Sequence, residues 1–208
     1  MRTLRIKGTG KASRQPDLIV VNFKIVSEDY NYDEALNNLN KRTALLRQDI
    51  VKAGFNRDDL KTTNFNINTK YRYEDGQSYF DGYRASHDLK LEFPYNRLLL
   101  NQLLKIVSIS NANAEFKIFF EVDDKEDFKN ELLRNAVENA KKNALVITDA
   151  AGVKLGKILN ITYDWQEILS RSKLKMEMSE IQNGIDVVPE DVEAGDTVSI
   201  EWEIEDYV

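Results

Sequence analysis

The sequence offers few side chains for chemistry, and they lie far apart. His87 is the only histidine and there is no cysteine. This removes disulfides, thiolate zinc sites, iron–sulfur clusters and thiol redox cycles, and leaves no Cys–His dyad within the chain. By alternation, His87 falls on the apolar side of a strand, where a hydrogen-bonded core role competes with that of a general base needing a substrate and an orienting partner. Gly8-Thr9-Gly10-Lys11-Ala12-Ser13 has the look of a phosphate loop. Arg5 stands where a Walker motif needs its first glycine, Ala12 stands where it needs Ser or Thr, and Pro16 and a strand follow in place of a helix. A strand-end bulge or turn is the expectation there. Asp123-Asp124-Lys125-Glu126-Asp127 lacks the spacing and glycine of a calcium loop and suits the start of a helix, whose dipole favours acids. Tyrosines at 71, 73, 79, 83 and 95, with Lys70, Arg72 and Arg84, form either an aromatic–basic surface for single strands of nucleic acid or cross-strand pairs on a ribbon.

Charge narrows the classes further. The net charge is −6, which disfavours nucleic acid as a partner. It is unevenly spread: Arg2 to Arg14 hold five bases and no acid, and Met176 to Val208 hold eleven acids and no base. Two solvated strands at opposite ends of the chain would explain this. So would a basic first strand lying beside an acidic last one. No apolar run reaches the ~18 residues of a membrane span, and no leader is visible before Gly8, so a cytoplasmic protein is expected.

The elements follow from periodicity. Leu4 and Ile6 alternate with charged neighbours up to Gly8-Thr9-Gly10. Pro16-Asp17 precedes a strand with Ile19, Val21, Phe23 and Ile25 on one face. Asn31 with Glu34 has the capping-box spacing, and Leu36, Leu39, Thr43, Leu46, Ile50 and Ala53 form one helical stripe ended by Gly54. A hairpin turns at Asp75-Gly76, with Phe65, Ile67, Thr69, Tyr71 and Tyr73 on one arm and Tyr83 to Phe93 on the other. A short helix from Asn96 to about Ser108, a strand around Phe116–Val122, a helix from about Lys125 to Ala151 and a strand over Lys157–Tyr163 come next. Trp165 to Met178 suits a short amphipathic helix, and Pro189 to Gly195 reads as loop. Val198, Ile200, Trp202 and Ile204 then alternate in a closing strand. Seven strands and three helices in mixed order give an α+β fold, with mostly antiparallel sheets packed by two long helices and one shorter one. We expect one domain over 1–208, with intimately joined lobes at 1–80 plus 196–208 and at 81–165, and an irregular connector over 166–195. Ala53-Gly54-Phe55 and Ala151-Gly152-Val153 echo one another, through related lobes or simply through helix C-cap glycines.

Several strings, in order, resemble the SIMPL domain family, whose bacterial members include YggE-type oxidative-stress proteins. They are Gly8-Thr9-Gly10 with Pro16-Asp17, Ala53-Gly54, Thr63-Asn64-Phe65-Asn66-Ile67, Gly82-Tyr83-Arg84-Ala85-Ser86 and Ala136 to Gly156 with its Gly152, followed by Pro189 to Glu205. The resemblance covers almost the whole chain. It implies a non-catalytic, oligomer-forming α+β protein, associated with oxidative-stress tolerance or, in animals, with signalling adaptors. It defines no catalytic, cofactor or metal residues, so the motif residues Gly8, Gly10, Pro16, Asp17, Gly82, Tyr83, Arg84, Ala85, Ser86 and Gly152 are expected to be structural. A homo-oligomer is implied, with other protein partners open. The alternative is a small-molecule binder or carboxylate-dependent hydrolase with an unrecognised site.

Overall fold

The computed structural model describes residues 2–163, 172–174 and 188–206. In chain order the elements are β1 (Thr3–Arg14), β2 (Leu18–Asp29), α1 (Tyr32–Lys52), β3 (Lys61–Glu74), β4 (Gln77–Pro94), α2 (Arg97–Ser108), β5 (Glu115–Glu121), α3 (Lys125–Ala150), β6 (Val153–Thr162), β7 (Ser172–Leu174) and β8 (Val192–Asp206). This is an α+β fold, as the mixed element order implies.

The chain forms two compact units. One comprises residues 1–16, 122–172 and 190–208; the other comprises 17–121 and 173–189. The boundaries fall at Pro16/Asp17 and Glu121/Val122, not near residue 80. A cut at 80 would divide the β3–β4 hairpin, whose arms pair from Lys61↔Lys90 to Glu74↔Gln77.

In the first unit the sheet order is β1-β8-β6. Both pairings are antiparallel, so the acidic last strand runs beside the basic first one, with Arg5 opposite Glu201. The Arg5 guanidinium donates to Glu201 Oε2 at 2.9 Å, and Arg2 meets Asp206 at 2.6 Å. The Arg5 hydrogen bond, aided by Thr3, holds the Glu201 carboxyl below its ordinary pKa. Ala136, Ala140 and Ala144 of α3 pack on Val198, Ile200 and Trp202, with Leu4, Ile6, Leu155 and Tyr163 around them.

The structure changes four expectations. Gly8-Thr9-Gly10 does not end β1 but lies within it, because the α3 backbone covers both glycines. β8 begins at Val192, and Gly195 pairs with Lys11 where a loop was expected. Asn31 Oδ1 caps α1 by accepting from Asp33 N–H at 2.8 Å, but the N–H of Asn31 itself goes to Asp29 rather than to Glu34. Eight strands occur among the described residues. The expected helix over Trp165–Met178 lies outside them, apart from Ser172–Leu174, which forms β7.

In the second unit the sheet order is β3-β4-β2-β5-β7. α1 and α2 cover one face, burying Ile19, Val21, Phe23 and Ile25 of β2 against Leu39, Leu46 and Ile50 of α1 and Leu100, Leu103 and Leu104 of α2. The β3–β4 turn has positive φ at Asp75 (50°) and Gly76 (77°), the left-handed pair that a two-residue hairpin requires.

Candidate functional site

His87, the one residue with an obvious catalytic repertoire, has both ring nitrogens engaged. It is buried on the helix-facing side of β4. Its Nδ1 lies 3.1 Å from Thr43 Oγ1 and its Nε2 lies 2.8 Å from Thr62 Oγ1. The Thr43 hydroxyl donates to the Leu39 carbonyl at 2.9 Å, so towards His87 it can only accept. This assigns the proton to Nδ1 and leaves Nε2 accepting from Thr62. Burial, followed by the charge of Arg47, lowers the His87 pKa from its ordinary value. A neutral imidazole with no free nitrogen is a structural link between α1, β3 and β4.

The other early candidates resolve into local packing. Thr9 N–H donates to Asn139 Oδ1 at 3.1 Å, and the Lys11 carbonyl accepts from Asn135 Nδ2 at 3.0 Å. The Thr9 N–H, the kind of group a phosphate loop would offer to an anion, is thus engaged by α3, which also shields this open strand edge. Asp124 caps α3 by accepting from Asp127 N–H at 2.8 Å, and Asp127 accepts from Arg14 at 2.8 Å. Pro16 is buried just beyond β1. Asp17 immediately precedes β2, its N–H bonded to the Glu121 carbonyl at 3.1 Å. Gly152 follows α3 with φ +65°, the C′ position of its cap.

Gly82-Tyr83-Arg84-Ala85-Ser86 surrounds a β-bulge. Thr69 pairs with Tyr83 and Tyr71 with Phe80, so Lys70 faces both Asp81 and Gly82. Gly82 has φ +92°, and a Cβ there would lie 2.6 Å from the Asp29 carbonyl oxygen. The bulge aims Lys70 at Glu28 (2.8 Å) and Asp81 (3.1 Å), while Arg84 reaches Glu28 at 3.2 Å. Ala85 is buried in the core, and Ser86 faces away from the helices.

Beyond the bulge the ribbon is aromatic. Phe80 makes edge contacts with Tyr30 (6.5 Å between centroids), Tyr71 (6.2 Å) and Tyr83 (5.4 Å). The tyrosines therefore pair on a ribbon, although Tyr30, Tyr71, Tyr73, Tyr79 and Phe80 remain largely exposed. Tyr95 lies elsewhere, against Phe120. β3 is an edge strand whose fourteen residues are mostly exposed, Phe65 among them.

The second unit's other sheet face carries a cavity of about 790 Å³, whose lining includes Asn22, Lys24, Asp88, Lys90, Lys117 and Phe119. Asn22 lies opposite Lys90 on β4 and Lys117 on β5, and Lys24 lies opposite Asp88 and Glu115. Sequence reading passed over these lysines. Each alternates with apolar residues like any solvated strand position, and only strand order brings them together.

Together these features define an α+β protein of two sheet–helix units, with an exposed ribbon edge and a lysine-bearing cavity in the second. The SIMPL family profile, described as a protein of unknown function (DUF541), matches residues 4–204, and the chain belongs to that family. It is also 26% identical over 166 residues to the "26 kDa periplasmic immunogenic protein" of Brucella melitensis and to its namesake in Brucella abortus, a match covering 76% of this chain. The chain spans 65% of the length of these relatives. Their names point to the periplasm and overturn the cytoplasmic expectation.

Proposed function

We propose that this chain is a non-catalytic, self-assembling SIMPL protein of the periplasm, whose copies join through the open edge of β3. The carrying observation is the form of that edge. Register shifts at Thr62/Asn64 and Thr69/Tyr71 bracket a regular stretch from Asn64 to Thr69. An exposed regular edge offers unpaired backbone groups to another strand. Antiparallel pairing about Asn66 would set Asn64 against Asn68 and Phe65 against Ile67 of the second copy. No like charges would face one another, since Lys61 would meet Tyr71 and Lys70 would meet Thr62. Phe65 would then gain the cover it lacks in a single copy.

The occupied nitrogens of His87 support the non-catalytic part of the reading. So does the placement of Asp88 and Glu115 on strands either side of β2, about 10 Å apart at two strand spacings. Periplasmic placement is supported by the names of the relatives and is tested by fractionating cells that express the native gene.

Light scattering coupled to size exclusion tests the assembly. The wild type should run as a multiple of 24.0 kDa. Asn66→Lys, which sets two ammonium groups face to face at the dyad, should shift it towards smaller species, and Asn66→Ser should not. A wild type that stays at monomer mass at all concentrations removes the assembly reading. An assembly indifferent to Asn66→Lys removes β3 as its surface.

A further inference from the structure

The cavity on the second unit's sheet is not used by the assembly reading, and its charge pattern is specific. Two rows across the strands line it, Asp88–Lys24–Glu115 and Lys90–Asn22–Lys117, and of the next row, Glu92–Val20–Phe119, only Phe119 lines it. The middle row is cationic at both ends with a neutral amide between them. Lys90 holds Glu92 at 2.7 Å in a half-exposed pair, whereas Lys117 and Lys24 have no ion-pair partner among the described residues. The lysines at the ends of the middle row start about 10 Å apart, and their flexible stems let both ammonium groups converge above Asn22. Phe119 follows Lys117 on the same strand and face, and is buried.

From this arrangement we infer that the cavity is a binding site for a small amphipathic anion. Its carboxylate, phosphate or sulfonate head rests over Asn22 between Lys90 and Lys117, and its apolar body lies towards Phe119, which lines the same cavity. The volume falls within the ~300–1,000 Å³ of small-molecule sites. The flanking rows set the ligand class. Asp88 and Glu115 on one side and Glu92 on the other bracket the cationic row, so one compact head is favoured while a polyanion such as nucleic acid would meet carboxylates on both sides. The amide of Asn22 adds a donor without a competing charge, and charge-assisted bonds from the lysines provide the selectivity for an anion.

The test uses the full-length chain and two fluorescent probes, anionic 8-anilinonaphthalene-1-sulfonate and neutral N-phenyl-1-naphthylamine, with decanoate as competitor. The anionic probe should saturate at one site per chain and be displaced by decanoate. Lys90→Gln combined with Lys117→Gln should weaken it about ten-fold or more, the loss expected for two charge-assisted contacts, while the neutral probe changes little. In the wild-type protein, decanoate should shift the amide resonances of Asn22, Lys90 and Lys117 and leave those of Tyr71 to Phe80 in place. This readout holds whether or not the double variant folds. Three results would overturn the site: no saturable binding, equal binding by the double variant, or decanoate shifts confined to the aromatic ribbon. Parallel loss of both probes would remove the claim that the lysines select an anion.

Discussion

Gly8 of β1 lies directly beneath Ala136 of α3, so close that a Cβ at Gly8 would stand 2.1 Å from the Ala136 carbonyl oxygen and 2.6 Å from the Ala140 Cβ. Two residues along, a Cβ at Gly10 would lie 1.9 Å from the Leu132 carbonyl oxygen. Alanines every four residues on α3 and glycines every two on β1 remove side chains from both surfaces. The helix backbone therefore rests on the strand itself. That closeness also lets Asn135 and Asn139 reach the open edge of β1.

Gly8→Ala and Gly10→Ala should each destabilise the protein by about 3 kcal/mol or more, since the obstructing atoms are backbone and cannot swing aside. Urea unfolding followed by circular dichroism measures this. Losses below ~0.5 kcal/mol would mean that α3 does not sit on β1 this closely.

His87 makes stability fall in mild acid. Its folded pKa lies below its ordinary value, chiefly through burial, so the unfolded chain takes up the proton first as the pH drops. The contribution is complete above about pH 6.5 and is lost as the pH falls towards the folded pKa. His87→Asn should flatten this part of the pH profile at modest cost. His87→Leu should cost about 1–3 kcal/mol by leaving the buried Thr43 hydroxyl oxygen without its ring donor. A profile unchanged by either substitution would contradict the assigned neutral tautomer.

β8 is the central strand of its sheet, so deleting residues 196–208 should abolish cooperative folding of the first unit and leave β1 and β6 without a shared partner. Trp202→Ala should cost about 3–5 kcal/mol through lost burial. By contrast, Arg5→Gln should barely move the urea midpoint, because its pair with Glu201 is on the surface and screened by salt. A soluble, cooperatively folding truncation would show β8 to be an appendage.

Any contribution to oxidative-stress tolerance should be indirect, since the chain has no cysteine to act as a peroxidatic thiolate. Purified protein should consume hydrogen peroxide only by slow, stoichiometric methionine oxidation. Sustained catalytic turnover by metal-free protein would refute this.

Alternation and end signals are local properties, and they were legible in the residues themselves. Asn31 and Asp124 cap their helices, Asp75-Gly76 turns the hairpin, and Ile19 to Ile25 bury one face, because backbone geometry fixes which side chains share a face. The charge asymmetry of the termini raised the pairing of Arg5 with Glu201 without deciding it. Tertiary structure alone decided that Gly8-Thr9-Gly10 continues a strand, because the reason for those glycines is a helix more than a hundred residues away. It also decided that Val192 to Gly195 is strand, since those residues pair with β1, and that the units divide at residues 16 and 121 rather than near 80. The row of Lys90, Asn22 and Lys117 belongs to the same class. Each position alternates like any solvated strand residue, and only the order β4-β2-β5 sets two distant lysines on either side of one amide.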